Sequence, residues 1–204
     1  MRTFQKLFIA LLLLPVLAFA QQLPTPPALA AKSWLLIESG SGQELASQAP
    51  DERLEPASLT KLMTAYLTFS AIKQGTIKLD QTVPVSEKAW KAQGSRMFIQ
   101  VNTQVKIEDL IKGMIVQSGN DACVALSEAI AGGEENFAQM MNREAQRLGM
   151  KASNFRNSSG LPDPQHYTTA RDLATLAGAL VRDFLEEYAK YYSLKELRYN
   201  NITQ

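Results

Sequence analysis

The sequence predicts an α+β domain, and three observations carry that reading. A short apolar segment, Trp34-Leu-Leu-Ile37, faces a second one, Gln43-Glu-Leu-Ala46, across Gly40-Ser-Gly42, which is a hairpin signal. From Ser58 onward the apolar residues recur at intervals of three and four, and that helical spacing returns along much of the remaining chain. An apolar content of 46% beside 20% charged residues describes a chain that buries a core.

The elements follow in order. Arg2 and Lys6 precede an apolar run from Leu7 to Leu17, which is too short to span a bilayer, and Ala18-Phe19-Ala20 offers a small-residue cleavage site. Residues 1–20 therefore read as a signal peptide, with an uncleaved anchor as the alternative, and the protein as exported. Residues 21–31 read as an extended, proline-rich leader. After the hairpin, Pro50 to Pro56 is a charged loop. Leu59, Leu62, Met63, Tyr66 and Leu67 then mark an amphipathic helix from Ser58 to about Gly75.

Val83-Pro-Val85 and the stretch from Met97 to Val105 read as short extended pieces around a loop containing Gly94-Ser-Arg96. Helices are expected over about 107–115, 121–131 and 135–149, the first two separated by Ser118-Gly-Asn120. Asn154 to His166 is loop, and Thr169 with Asp172 reads as a capping box opening a helix through about Leu185. Tyr188 to Gln204 gives no assignment. One hairpin cannot make a stable sheet alone. Either helices cover it or partner strands lie beyond Gln204, and the second is the expectation.

Composition narrows the function classes. Net charge is +1 and falls to −1 once Arg2 and Lys6 are removed, which gives no reason to expect nucleic acid as a partner. With one cysteine, Cys123, and one histidine, His166, no intramolecular disulfide, thiolate metal site or multi-histidine metal site can form. No metal and no cofactor are expected. His166 could still serve a Ser-His-Asp triad.

Ser58-Leu-Thr-Lys61 places an amine three residues after a hydroxyl on one helical face. A serine needs a base to become a nucleophile, and burial can lower a lysine's pKa enough to supply one. A helix N-terminus favours the anion that develops there. Alone the pattern is weak, because Ser70-Ala-Ile-Lys73 also fits, and Ser58 could be an ordinary N-cap. Ser118-Gly119-Asn120 adds a hydroxyl and an amide at a glycine-punctuated break between helices, where a helix N-cap is the plainer alternative.

Pro56-Ala-Ser-Leu-Thr-Lys61 followed by Ser118-Gly-Asn-Asp-Ala122 closely resembles the low-molecular-mass penicillin-binding proteins, the exported serine-type D-alanyl-D-alanine carboxypeptidases. Gly94-Ser-Arg-Met-Phe98, Asn157-Ser-Ser-Gly-Leu-Pro162 and His166-Tyr-Thr-Thr-Ala-Arg-Asp172 extend the resemblance over about residues 32–190. It implies a serine β-lactamase/DD-peptidase-like fold, a helical subdomain beside an antiparallel sheet flanked by helices. It also implies that 32–204 is the N-terminal part of such a domain. Ser58 would attack the carbonyl between the last two D-alanines of a peptidoglycan stem pentapeptide, with Lys61 as general base and the Ser58 N–H as half of an oxyanion hole. Ser118 would pass a proton to the departing D-alanine, and Asn120 would orient the substrate and Lys61. β-Lactams would acylate the same serine.

The family's third motif, Lys-Thr/Ser-Gly, is absent, since no lysine here is followed by that pair. The expectation is therefore a truncated chain that lacks the later sheet strands, with no segment for membrane association after signal cleavage. Other readings are a DD-endopeptidase or a class A β-lactamase-like hydrolase; no Glu-x-x-Leu-Asn string follows Ser118. A non-catalytic peptidoglycan-binding fragment is the reading from another class. Against these motifs, His166 reads as loop-ordering and Cys123 as a buried apolar residue. Asp163 and Asp172 read as turn and cap residues, and Tyr191-Tyr192 as core or interface.

Overall fold

A computed structural model describes residues 28–204. The signal-peptide reading of 1–20 and the leader at 21–27 lie outside the described residues. The chain divides into two units, Met1–Ala30 and Ala31–Gln204, and the second carries every element named below. Of the first, only residues 28–30 are described, and they are exposed.

The α+β class holds. Strands β1 (Trp34–Ile37) and β2 (Glu44–Gln48) form the expected antiparallel hairpin, which lies beside a later helix and leaves Leu36 and Leu45 exposed. A 3₁₀ turn at Ala57–Thr60 runs straight into α1 (Lys61–Lys73). Then come β3 (Thr82–Pro84), the short α2 (Glu87–Trp90), β4 (Gln104–Lys106), α3 (Ile107–Val116), α4 (Asn120–Ala131) and α5 (Glu134–Leu148). After a long loop, α6 (Ala170–Asp183) and α7 (Leu185–Tyr192) lead to a small hairpin of β5 (Arg198–Tyr199) and β6 (Ile202–Thr203). The six strands make three separate two-stranded antiparallel ribbons among the described residues.

Helix α1 is the axis of the core. The sequence pattern reads as amphipathic, but Met63, Thr64, Ala65, Tyr66, Leu67, Thr68 and Phe69 are all buried, covering every direction around the helix. A helix enclosed on all sides must satisfy its polar groups internally. Thr68 Oγ1 accordingly donates to the Thr64 carbonyl at 2.7 Å, and Thr64 Oγ1 to the Ser158 carbonyl at 2.6 Å. Around α1 pack α3, α4, α5 and α6, with Ile107, Leu110 and Ile111 of α3 fully enclosed.

Two stretches depart from the sequence reading. Met97 to Ile99 is not a strand. Its Met97 and Ile99 N–H groups donate to the buried Asp121 carboxylate at 2.9 and 3.2 Å, and Phe98 between them sits at φ 66°. A side chain thus takes the donors a ladder would have used. The second stretch is 188–204, where α7 and the β5–β6 hairpin form. Helix α7 is placed by tertiary packing, with Tyr191 buried and stacked on Phe69 at 5.8 Å.

Candidate active site

The turn before Ser58 is strained. Ala57 adopts φ 47°, a left-handed backbone that costs a β-carbon residue about 1–2 kcal/mol. Gly160 presses on it from the facing loop: a β-carbon built on Gly160 would stand 1.8 Å from the Ala57 carbonyl oxygen, and Gly160 itself has φ 88°. Only a residue without a side chain can come that close. The loop is in turn tied together by Asn157 Oδ1, which accepts from the N–H groups of Ser159, Gly160 and Leu161. An isolated antiparallel bridge between Leu54 and Thr168 holds the segment entering the turn.

Ser58 comes out exposed, on the first turn of the helical run, and caps nothing with its side chain. Its Oγ lies 3.1 Å from Lys61 Nζ, so the N-cap alternative is set aside. Among the described residues no hydrogen bond engages the Ser58 N–H, which leaves it aimed forward as helix-start donors are. Lys61 is buried, and its other contact is the Ser159 carbonyl at 2.7 Å rather than a carboxylate. Burial without a counter-charge holds its pKa below the ordinary lysine value of 10.5. Nearby Cys123 is fully enclosed, and burial pushes its thiol up to about 12, so it stays neutral and behaves as a small core residue.

Ser118 forms the opposite side. It has φ 57°, and its hydroxyl is buried with no hydrogen-bond partner among the described residues. The N-cap of α4 is Gly119, with no side-chain cap, so Ser118 is not there to cap a helix. An unpartnered buried hydroxyl costs about 1–3 kcal/mol, which marks it as a group kept for a ligand. Asn120 fixes the neighbouring loop: its Nδ2 donates to the Gln93 carbonyl at 2.7 Å and its N–H to the Ser95 carbonyl at 2.7 Å. Its Oδ1 accepts nothing among the described residues. One expectation is corrected here. Asn120 makes no hydrogen bond to Lys61: its Nδ2 donates to the Gln93 carbonyl, and Lys61 Nζ is held by Ser58 Oγ and the Ser159 carbonyl.

Ser58, Lys61 and Ser118 line one pocket of ≈ 130 Å³, with Leu59, Leu62, Met114, Ile115 and Tyr192 supplying the rest of its wall. A larger cavity of ≈ 310 Å³ opens at the other end of α1, by Ser70 and Arg147. Ser70 of the second Ser-x-x-Lys pattern lines it and Lys73 does not; Ser70 Oγ accepts from Gln74 and Lys73 Nζ reaches toward the Asp183 carbonyl. No hydroxyl–amine pair exists there, whereas the smaller pocket contains the Ser58–Lys61 pair.

His166 is buried behind the nucleophile turn. Its Nδ1 accepts from the Arg156 N–H at 3.4 Å, which assigns the proton to Nε2 and makes Nε2 the donor to Thr60 Oγ1 at 3.0 Å. Burial lowers its pKa below the usual histidine value. It orders the loop and does not touch Ser58, so no Ser-His-Asp triad is present. Asp172 receives the Ala152 N–H and the Ser153 hydroxyl, and Thr169 Oγ1 caps α6 by accepting from the Asp172 N–H at 3.1 Å. No group of three or more metal-ligating side chains occurs among the described residues.

Sequence reasoning missed three participants. The Ser159 carbonyl leaves no trace in residue type, though Asn157-Ser-Ser-Gly160 was already a conspicuous segment. Asp121, the fourth residue of Ser118-Gly-Asn-Asp, pins the 97–99 backbone. Tyr192 reaches the pocket only because α7 folds back over α3.

The family model for D-alanyl-D-alanine carboxypeptidase, peptidase S11, matches residues 20–204. The chain is 45% identical over 183 residues to the D-alanyl-D-alanine carboxypeptidase DacA of Haemophilus influenzae, covering 88% of this chain and 46% of that protein. It is 42% identical over 196 residues to DacC of Escherichia coli, covering 93% of this chain and 49% of that protein. Among solved structures, penicillin-binding protein 5 of Haemophilus influenzae superposes with a TM-score of 0.85 at 45% identity, over 88% of this chain and 53% of that one. The chain spans about half the length of these relatives.

Proposed function

The chain belongs to the D-alanyl-D-alanine carboxypeptidase family, peptidase S11, and from that membership we propose that the protein carrying it removes the terminal D-alanine from peptidoglycan stem pentapeptides through an acyl-enzyme on Ser58. The observation that carries the reading is the Ser58–Lys61 pair: an exposed hydroxyl 3.1 Å from a buried amine that has no carboxylate to keep it charged.

In this reading Lys61, neutral, takes the Ser58 proton as Oγ attacks the carbonyl of the penultimate D-alanine. The Ser58 N–H donates to the oxyanion. Ser118, whose hydroxyl is free, passes a proton to the departing D-alanine amine and is reprotonated by Lys61, which returns that amine to neutral, while Asn120 Oδ1 accepts a substrate N–H. The ester left on Ser58 is then cleaved by water, with Lys61 receiving the water's proton. A β-lactam opens on the same serine. The matched family works on the cell wall, and export through the signal-like residues 1–20 to the periplasm or the outer face of the bacterial cytoplasmic membrane is the matching location. No helix among the described residues is long and apolar enough to cross a membrane.

A second reading has its own support: a D-alanyl-D-alanine endopeptidase of Pseudomonas aeruginosa is 31% identical over 155 residues. Rates of D-alanine release from a pentapeptide and of cleavage of a cross-linked stem dimer separate the two. Faster pentapeptide turnover, lost in Ser58→Ala, is the expected result; faster dimer cleavage favours the endopeptidase.

A further inference from the structure

Tyr192 shares the pocket with the three residues assigned to the chemistry. It is the last residue of α7, and two contacts hold it there. Tyr191 beside it is buried and stacks on Phe69 in the middle of α1 at 5.8 Å and 14°, which fixes where the helix ends. Tyr188, one turn earlier on the same helical face, stacks on the Tyr192 ring at 5.1 Å and 27°. The ring is thus set before any ligand arrives, and a ligand that uses it has little ordering to overcome.

The rest of the lining makes its polar end conspicuous. Leu59, Leu62, Met114 and Ile115 are apolar, so apart from Ser58, Lys61 and Ser118 the one lining residue with a polar group on its side chain is Tyr192. Among the described residues that hydroxyl has no hydrogen-bond partner, so its donor is available to a ligand. The contrast within α7 is direct: the neighbouring Tyr191 hydroxyl does have one, donating to Glu108 Oε1 at 3.4 Å. Burial raises the Tyr192 pKa above the ordinary tyrosine value, so the phenol stays protonated and remains a donor throughout the working range of the enzyme.

We propose that Tyr192 is a substrate-binding residue of this site, its ring closing the apolar side of the slot and its hydroxyl donating a hydrogen bond to an acceptor oxygen of the bound stem peptide. This assignment rests on the carboxypeptidase reading and adds to it a contact from the α7 side, opposite the nucleophile turn.

The test uses the complete protein as wild type, Tyr192→Phe and Tyr192→Leu, with a synthetic pentapeptide ending in D-Ala-D-Ala. KM and kcat are measured, together with the melting temperature and the fraction of Ser58 labelled by a fluorescent penicillin. Loss of one neutral hydrogen bond to the ligand should raise KM in Tyr192→Phe by about fivefold while kcat moves less than about twofold and the melting temperature holds. Tyr192→Leu, which also removes the wall, should lose more. An unchanged KM in Tyr192→Phe overturns the assignment. So does a parallel fall in labelling, kcat and melting temperature, which is the signature of a structural residue. Wild type that neither labels nor releases D-alanine sinks the carboxypeptidase reading and this contact with it; wild type that does both, beside an unaltered Tyr192→Phe, sinks the contact alone.

Discussion

Ala57, just before Ser58, and Ser118 itself both adopt left-handed backbone, at φ 47° and φ 57°, and each leads within a few residues into a helix buried in the core. Each turn is held by a loop from elsewhere in the chain: residues 157–166 for the first, residues 93–99 for the second. Their side chains end differently. At the Ser58 turn the side chains are already engaged, with Lys61 between Ser58 Oγ and the Ser159 carbonyl. At the Ser118 break the backbone is tied down while the Ser118 hydroxyl is left buried and unpartnered. In the proposed reading, the first side is wired for proton transfer before substrate binds, and the second is completed by the substrate.

That difference fixes how the two sides respond to mutation. Lys61→Ala removes the base and should lower the rate of Ser58 acylation on the order of 10³-fold. Its pH profile sharpens the point. Since activity requires the neutral amine, wild-type acylation should rise with pH and level off below 10.5, the ordinary lysine value.

Ser118→Ala should cost about 10²-fold in peptide turnover, yet leave the melting temperature unchanged or higher, because it deletes a polar atom that has no partner in the resting protein. A drop in melting temperature would erase the contrast between the two turns.

Gly160→Ala should destabilise by about 2–4 kcal/mol, read by denaturant melts, and slow acylation by moving Ala57. The control is Gly75→Ala, at φ 74° with nothing within 4 Å of a built β-carbon, where only backbone strain is paid. Equal effects at the two glycines would mean that the Gly160–Ala57 approach does not hold the nucleophile turn.

The smallest effect concerns His166. Burial holds its folded pKa below the ordinary histidine value of 6.5, so below that pH the unfolded chain binds the extra proton more readily than the folded one. Stability should therefore fall as pH drops below about 6.5 and stop falling once the folded pKa is passed. His166→Gln should flatten that slope without removing acylation.

Much of this was legible in the residues. Ser58, Lys61 and Ser118 line one pocket, Asn120 lies two residues from Ser118, and the helices at 107–149 and 170–183 follow local periodicity and caps. What stayed illegible was set by tertiary contact. Helix α1 reads as amphipathic and is enclosed on all sides, because loop carbonyls such as that of Ser158 satisfy its threonines. Met97 to Ile99 reads as extended, and Asp121 takes its N–H groups. Helix α7 has neither a strong cap nor a clear boundary after Asp183, and the stacking of Tyr191 on Phe69 places it. Backbone acceptors such as the Ser159 carbonyl carry no residue signature at all.

The most direct measurement is to incubate the complete protein with a fluorescent penicillin and map the labelled peptide by mass spectrometry. An acyl adduct on Ser58, absent from Ser58→Ala and greatly slowed in Lys61→Ala, is the expected result. An adduct on Ser70 or Ser118, or none under conditions that label the Haemophilus influenzae relative, would contradict the assignment of Ser58 as the nucleophile.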